Sequence, residues 1–289
     1  MSRAFCLAAL LVSASGCSSI DITEHGLIHP RRAESSPEVV PGAVAAAFPG
    51  VAYEEQRIKA ADGTILYGAL LRQPGADLTV LYFGGNEFTV ESSGLGTAQA
   101  LLPLGINLLL IDHRGYGWSD GTPTVSLLQS DALDVFDHAA ALPDLGSLVA
   151  HGFSLGSFLA GHVGANRPAA GVVLESSATT PEEWASVRIP SLYRPFVTVQ
   201  VDGPLRIVDN RAEVERIGEP LLLLAGDEDA TTPPVLSRRL YEASPLPASR
   251  KTLAVIAEAG HGDVQQQPEF ARVYQAFLDR VRATREPRP

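Results

Sequence analysis

Short uninterrupted apolar runs recur along the chain and predict strands that are buried on both faces of a sheet. The six runs are residues 78–83, 106–111, 147–150, 171–174, 221–224 and 252–256. The segments between them repeat apolar residues at three- and four-residue spacing, as helices with one buried face do. These helical segments are residues 125–142, 157–165, 235–243 and 268–283. The alternation predicts an α/β protein with a doubly wound, mainly parallel sheet.

The predicted sheet opens with an antiparallel hairpin. Residues 57–59 and 65–71 flank the turn Ala60-Ala61-Asp62-Gly63, and Asp-Gly between two apolar runs is a strong hairpin signal.

The N-terminus has the pattern of a secretory signal peptide over residues 1–16. Arg3 precedes an apolar run at residues 4–12, and small residues lead to Cys17. The run is too short to span a bilayer permanently. The ending Ala14-Ser15-Gly16-Cys17 resembles the lipobox of bacterial lipoproteins, which implies cleavage before Cys17 and a lipid anchor on it. The alternative is an ordinary cleaved signal with an incidental cysteine.

Ser18 follows the cysteine, and in that family this residue favours the outer membrane on its periplasmic face. We therefore expect an exported envelope lipoprotein, attached to the membrane through the anchor. Residues 17–50 carry Ser, Pro, Gly and charges without sustained periodicity, and we interpret them as a membrane tether followed by a segment leading into the body near residues 44–48.

Composition and charge exclude several classes of function. The chain has 289 residues, 45% hydrophobic and 19% charged, and its formal net charge of -11 repels nucleic-acid phosphates. Its two cysteines, Cys6 and Cys17, both precede the predicted body, so neither a disulfide framework nor a thiolate metal site is expected. No histidines and carboxylates have metal-ligand spacing, and no cofactor is implied.

The sequence His151-Gly152-Phe153-Ser154-Leu155-Gly156 follows a predicted buried strand and opens a helical pattern. A nucleophile elbow requires this context, because Gly152 and Gly156 remove side chains that would collide with the tight turn. Ser154 is therefore the candidate nucleophile. The alternative is a serine that only caps the helix.

A serine needs a base and an orienting acid to become a nucleophile. His261 follows the last predicted strand, and three carboxylates, Asp227, Glu228 and Asp229, follow the strand before it. The chain order of serine, acid and histidine is that of the α/β-hydrolases.

The sequence resembles the α/β-hydrolase superfamily, and within it the serine aminopeptidase S33-like or Bem46-like group, over residues 51–280. The motifs are Asp112-His113-Arg114-Gly115-Tyr116-Gly117, the elbow at residues 152–156, and the acid loop at residues 226–233. The resemblance implies that Asp229 is the triad acid and that its two acidic neighbours are solvated. Asp227, Glu228 and Glu175, which ends a preceding strand, are the lesser alternatives. The resemblance also implies a hydrolase domain over residues 51–289. Residues 176–219 are rich in aromatic and apolar side chains, and we interpret them as a small lid over the site.

One loop departs from the family, which commonly has His-Gly-Asn-Ala-Gly after its third strand. Here the stretch is Phe83-Gly84-Gly85-Asn86-Glu87-Phe88, so Gly84 stands in place of the histidine. The resemblance implies that the backbone amides of Asn86 and Leu155 form the oxyanion hole, since a backbone donor does not depend on its own side chain. Glu87 either places a carboxylate near the pocket or points to solvent. His113 is expected to have a structural role.

These residues predict acyl-transfer hydrolysis of a small-molecule acyl substrate through an acyl-enzyme. A carboxylic ester is the first expectation, followed by a thioester or acyl-lipid, and then a peptide. The rival interpretation is a non-catalytic envelope lipoprotein that uses the fold as a binding module.

Overall fold

An eight-stranded sheet forms the centre of the structure, a computed structural model that describes residues 18–284. The strands are β1 Ser18–Ile22, β2 Ala52–Lys59, β3 Ile65–Arg72, β4 Leu78–Phe83, β5 Asn107–Ile111, β6 Ser147–Phe153, β7 Gly171–Glu175, β8 Val197–Val201, β9 Leu221–Gly226 and β10 Lys251–Ile256. The large sheet has the order β10-β9-β7-β6-β4-β5-β3-β2, and β1 pairs with β8 in a separate two-stranded sheet.

The hairpin and the parallel sheet are both as predicted. β2 and β3 are antiparallel, with Ile58 opposite Leu66 across the pair. β3 is also antiparallel to β5, while the remaining pairs of the large sheet are parallel. β4, β6, β7 and β9 contain the apolar runs and are buried over most of their length, which is why these strands lack an alternating pattern.

Helices cover both faces of the sheet. They are α1 Glu24–Leu27, α2 Val39–Ala47, α3 Val90–Leu101, α4 Val125–Ala141, α5 Leu155–Asn166, α6 Pro181–Arg188, α7 Asn210–Arg216, α8 Pro234–Ala243 and α9 Pro268–Thr284. Buried residues of α4, α5, α7 and α8 form the core on one face, and those of α2, α3 and α9 form the core on the other. The doubly wound α/β fold is therefore confirmed.

Residues 18–48 lie against the body, where we expected a membrane tether. β1 is parallel to β8, and the backbone N–H of Gly117 donates to the carbonyl of Arg31 at 2.8 Å. The Trp118 indole donates to the carbonyl of Ser35 at 2.8 Å. These contacts join loops of the body to the segment, so the tether interpretation does not hold from Ser18 onward. The predicted signal peptide and Cys17 lie outside the described residues.

Residues 176–219, the predicted lid, contain α6, β8, α7 and short 3-10 turns at Arg194–Phe196 and Gly203–Ile207. Ala185, Leu205 and Val214 from this segment are buried in the same core as α4 and α5. Of the helices within residues 18–284, none is both long and apolar enough to cross a membrane.

Candidate active site

Ser154 lies between β6 and α5 with a strained backbone, at φ 52° and ψ -115°. Residues other than glycine rarely adopt these backbone angles, so the surrounding structure must hold Ser154 in this conformation. A Cβ on Gly152 would lie 2.0 Å from the carbonyl oxygen of Gly156, and a Cβ on Gly156 would lie 1.9 Å from that of Phe83. Both glycines are therefore required, as the elbow motif predicts, and Ser154 stands at the C-terminal edge of the sheet.

The structure brings Ser154, His261 and Asp229 together. The Nε2 atom of His261 lies 2.9 Å from the Ser154 hydroxyl, and its Nδ1 atom lies 2.8 Å from Oδ2 of Asp229. Ser154 follows β6, Asp229 follows β9 and His261 follows β10. Because the carboxyl ends of parallel strands meet at one edge of a sheet, three distant segments converge here.

Asp229 is buried and held in a fixed orientation. Its Oδ1 atom accepts hydrogen bonds of 2.8 Å from the backbone N–H groups of Thr231 and Thr232, and the Thr232 hydroxyl donates to Oδ2 at 2.7 Å. Burial alone would raise the pKa of Asp229, but the hydrogen bond and charge interaction with His261, with the Thr232 donors, lower the pKa below its ordinary value.

An ionised Asp229 fixes the tautomer of His261. A carboxylate can only accept, so Nδ1 of His261 carries the proton that bonds to it. Nε2 is then free to accept the proton of the Ser154 hydroxyl, as a general base must. Asp227 and Glu228 are exposed, and neither bonds to His261 in the part of the chain that the structure describes.

Glu175, one of the lesser alternatives for the acid, bonds to a different histidine. Its Oε2 atom lies 2.9 Å from Nε2 of His151 and accepts a hydrogen bond of 2.8 Å from the Gln265 amide. The hydroxyl of Tyr274 lies 3.1 Å from Nδ1 of His151. The backbone carbonyl of Glu175 accepts from the Ser154 N–H at 2.9 Å. This buried network of hydrogen bonds holds Glu175, whose backbone in turn holds the elbow. Sequence reasoning missed it, although His151 stands within the elbow motif.

Residues 84–88, here called the oxyanion loop after the role expected of it, lie close to Ser154. A Cβ on Gly85 would come within 3.2 Å of the Cβ of Ser154. The N–H groups of Asn86 and Leu155 donate to no acceptor within residues 18–284, so both are available to a ligand. The Asn86 side chain bonds to the N–H of His29 and to the hydroxyl of Tyr116.

The departure at Gly84 has a steric reason. A Cβ at this position would lie 2.1 Å from Cγ of Phe88, whose ring is buried against the backbone. Phe88 thus occupies the space that a side chain at position 84 would need. Glu87 has a positive φ of 63° and is exposed. Glu87 also lines the neighbouring cavity, so the two expectations for this residue are not exclusive.

The loop that follows β5 supports the oxyanion loop from the other side. The buried His113 Nε2–H donates to the carbonyl of Gly84 at 2.8 Å, which is the structural role expected of it. The Asp112 carboxylate accepts from the backbone N–H groups of Val90 and Trp118. Burial raises the pKa of Asp112 to about 6, although these hydrogen bonds lower it. Arg114 is buried and bonds to Asp131 at 2.6 Å.

A cavity of about 780 Å³ lies beside the oxyanion loop, and its lining includes chain neighbours of Ser154 and His261 rather than these two residues themselves. Its wall includes Gly85 and Asn86 of the oxyanion loop, Phe153 before the nucleophile and Gly262 after the histidine. The cavity is of the size that small ligands occupy. Glu175 and Gln265 place polar groups in the same wall. Within residues 18–284 no cluster of His, Cys, Asp and Glu could hold a metal ion.

No family model matches the chain. Among curated proteins it is similar to the uncharacterized protein Rv2307c of Mycobacterium tuberculosis, at 34% identity over 65% of this chain and 64% of that protein. It is similar to human protein ABHD12B at 31% identity, over 61% of this chain and 52% of that protein. It also matches the lysophosphatidylserine lipase ABHD12 of Rattus norvegicus at 27% identity, over 72% of this chain and 57% of that protein. The matches thus span less than two thirds of these relatives.

Among solved structures, the Pyrococcus furiosus esterase Pf2001 superposes with a TM-score of 0.68 at 21% identity, covering 88% of this chain and 99% of that one. The chain has the α/β-hydrolase fold. Other relatives are named as an α/β-hydrolase domain-containing protein and as lysophosphatidylserine lipases, at 25 to 28% identity.

Proposed function

We propose that the protein is a serine hydrolase that cleaves a carboxylic ester through Ser154, His261 and Asp229. The observation that carries the proposal is the hydrogen-bonded chain from the Ser154 hydroxyl through His261 to Asp229, with distances of 2.9 and 2.8 Å. A protein that uses the fold only for binding needs neither the strained serine nor the fixed tautomer of the histidine.

In the first half of the reaction, Ser154 Oγ forms a bond to the ester carbonyl carbon as its proton moves to Nε2 of His261. The tetrahedral intermediate places its negative charge on the former carbonyl oxygen. When the intermediate collapses, the carbonyl re-forms and the bond between its carbon and the oxygen of the leaving alcohol breaks. His261 gives the proton to this leaving oxygen. The acyl group remains on Ser154, and a water molecule activated by His261 releases it as a carboxylic acid in the second half.

The backbone amides of Asn86 and Leu155 are the proposed oxyanion donors. Each is unpartnered within the described residues, and the Leu155 amide stands at the N-terminus of α5, where the helix dipole favours negative charge. Removing one such donor typically lowers kcat by a factor of about 10² to 10³. His113 and the Asn86 side chain hold the loop that carries one of the two donors.

The cavity supports an acyl-lipid ester as the substrate class within this reaction. Phe88 and Phe153 give its wall apolar surface, while Arg31, Glu175 and Gln265 add charged and hydrogen-bonding groups. A relative is named as a lysophosphatidylserine lipase, and lysophosphatidylserine has both an apolar acyl chain and a charged headgroup. Soluble esters and thioesters are cleaved by the same chemistry.

Labelling by a fluorophosphonate tests the proposal, because the reagent needs an activated serine. We expect wild-type protein to be labelled and to hydrolyse p-nitrophenyl esters from C2 to C16, and Ser154→Ala to lose both properties. Ser249→Ala is the matched control, since Ser249 is exposed and has no role in the site. A folded wild-type protein that is neither labelled nor active on esters would favour the binding-module interpretation.

We also propose that Cys17 carries a lipid anchor that holds the protein at the cell envelope, on the periplasmic face of the outer membrane. The residues Ala14-Ser15-Gly16-Cys17 and the preceding apolar run support this proposal. Mass spectrometry of the membrane-extracted N-terminus tests it. A diacylglyceryl-modified and N-acylated Cys17 is expected, whereas an unmodified cysteine or a different first residue would refute the anchor.

A further inference from the structure

The two most exposed large apolar side chains of the described chain, and a third close by, lie in one short segment. In residues 190–196, here called the tip segment, Leu192 is 73% exposed, Phe196 is 63% exposed and Tyr193 is 49% exposed. Two turns keep the segment compact, because the N–H of Tyr193 donates to the carbonyl of Pro190 and that of Phe196 donates to the carbonyl of Tyr193. Isolated exposed apolar residues are common, but a cluster marks a contact surface.

The N-terminal strand begins beside this segment. β1 and β8 are parallel, and Ser18 is the register partner of Val197, which directly follows Phe196. Neighbouring strands lie about 5 Å apart. Residues 1–17 therefore join the described structure next to the tip segment, and they include the apolar run at residues 4–12 and Cys17. The strand β1 thus begins, one residue after the proposed anchor site, at the end of the two-stranded sheet where the exposed apolar cluster lies.

Charge distinguishes the two ends of this sheet. Between residues 184 and 201 the only charged side chains are Arg188 and Arg194, in a chain whose net charge is -11. The acids Asp21 and Asp202 lie toward the other end, where the N–H of Asp202 donates to the carbonyl of Ile22. Cationic side chains beside exposed apolar residues suit an anionic lipid surface.

The tip segment is also linked to the active site. α6 precedes it, and the Trp184 indole of α6 donates to the carbonyl of Thr231 at 2.8 Å. Thr231 in turn donates its N–H to the triad acid Asp229. A surface that contacts the tip segment is thus connected through one helix to the acid loop.

We propose that Leu192, Tyr193 and Phe196 dock the protein on a bilayer of anionic phospholipid, with Arg188 and Arg194 at the headgroups. The occupant is a lipid surface because Cys17, the residue proposed to carry the lipid anchor, is bonded to Ser18, which pairs with Val197 beside the tip segment. Docking orients the predicted lid toward the membrane. The proposal does not depend on the hydrolase reaction, since it concerns only the tip segment and β1.

An environment-sensitive fluorophore on an introduced cysteine tests the docking, and any label on Cys17, the other cysteine of each variant, is subtracted. The full chain carries Cys6→Ser and Phe196→Cys, is labelled with a nitrobenzoxadiazole, and is reconstituted in vesicles of phosphatidylethanolamine and phosphatidylglycerol at 3:1. Leu95→Cys is the matched control, because Leu95 is 37% exposed on α3, which packs on the opposite face of the sheet. The unsubstituted Cys6→Ser chain gives the labelling background.

We expect nitroxide lipids to quench the probe at position 196 at least threefold more than the probe at position 95. Equal quenching at the two positions would overturn the proposal, and so would a protein that does not associate with the vesicles. Repeating the measurement with Cys17→Ala separates docking from the anchor. Quenching at position 196 in that chain supports docking even where mass spectrometry refutes lipidation.

A second variant measures the consequence for activity. Leu192→Ser with Phe196→Ser should leave hydrolysis of a soluble p-nitrophenyl ester unchanged and lower hydrolysis of a vesicle-bound acyl ester at least threefold. An unchanged rate on vesicles would contradict the proposal. Failure of the proposed hydrolase function would appear separately, as loss of turnover on the soluble ester in wild-type protein.

Discussion

Replacing Asp229 with Asn changes one atom of the site and leaves the shape of the acid loop intact. In wild-type protein Oδ1 accepts from two backbone N–H groups, and Oδ2 faces Nδ1 of His261. An asparagine keeps the two backbone bonds only if its oxygen stays at the Oδ1 position. Its NH2 group then faces His261, and the reversed orientation would instead point donors at the N–H groups of Thr231 and Thr232.

The loop therefore selects the orientation that donates to Nδ1 of His261. Nδ1 becomes the acceptor, the ring proton moves to Nε2, and Nε2 can no longer accept the Ser154 proton. In a serine protease with the same arrangement, the wrong tautomer lowers kcat by about 10⁴. A factor of this size corresponds to about 5.5 kcal/mol in the activation free energy. We expect a similar loss here near neutral pH, since the hydrogen-bond pattern around the acid imposes the same tautomer.

The assay compares kcat/KM on a p-nitrophenyl ester and the rate of fluorophosphonate labelling for wild type, Asp229→Asn and Asp227→Asn. Asp227 is the matched control, because it is an exposed acid in the same loop. Its substitution should change kcat/KM less than threefold. The reasoning fails if Asp229→Asn retains more than a tenth of the activity while remaining folded, or if the two variants lose activity equally.

Gly156→Ala should destabilise the fold by about 3 kcal/mol or more, because its Cβ would lie 1.9 Å from the Phe83 carbonyl oxygen. Gly42→Ala should be neutral or stabilising, because a Cβ at this position of helix α2 meets no other atom. Equal urea midpoints for the two variants would contradict this prediction. The pKa of Asp112 in the folded protein, about 6, exceeds the ordinary value of 3.8. Between these two pH values the folded state therefore keeps a proton that the unfolded state releases. Stability relative to Asp112→Asn should therefore fall by about 2 kcal/mol between pH 4 and 6 and level off above about pH 7. A constant difference in urea unfolding across this range would refute the cause. Asn86→Ala keeps the backbone donor but loosens its loop, so kcat should fall about tenfold to a hundredfold with little change in KM, and an unchanged kcat would exclude this positioning role.

The centre of the sheet could be predicted because its parallel strands are buried over most of their length and each is followed by a polar or glycine-rich loop. Helix α3 was not predicted. Its sequence carries Gly94 and Gly96 and several polar residues, so the apolar spacing is weak. The structure shows why the helix forms there. The Thr89 hydroxyl caps it by accepting from the Ser92 N–H at 3.0 Å, and Gly94 allows close contact with Leu110 of the sheet.

Strand β1 could not be predicted for a different reason. Its five residues contain only two strongly apolar side chains, Ile20 and Ile22, and its partner β8 lies far along the chain. Pairing between such distant segments depends on tertiary contacts, which no local pattern reports. The same holds for the contacts of residues 29–35 with the oxyanion loop and with Trp118.

The candidate triad was accessible from the sequence because strand order, chain order and the elbow glycines each restrict the choice. Residues whose role depends on a contact distant in the sequence or in the turn were harder to predict. Gly84 is one of them, because its place in the loop depends on Phe88, which fills the space that a side chain would need. The pairing of His151 with Glu175 joins two strands that are adjacent in the sheet but separate in the sequence, so no spacing rule identifies it.

The pairing of β1 with β8 sets an order for folding during synthesis. β1 leaves the ribosome early, yet the strand that completes it appears only after most of the large sheet has been made. Closing so long a loop is entropically costly and slow compared with forming local contacts. The small sheet should therefore be among the last parts to assemble. Until it does, β8 has an open edge and the lid segment lacks its support.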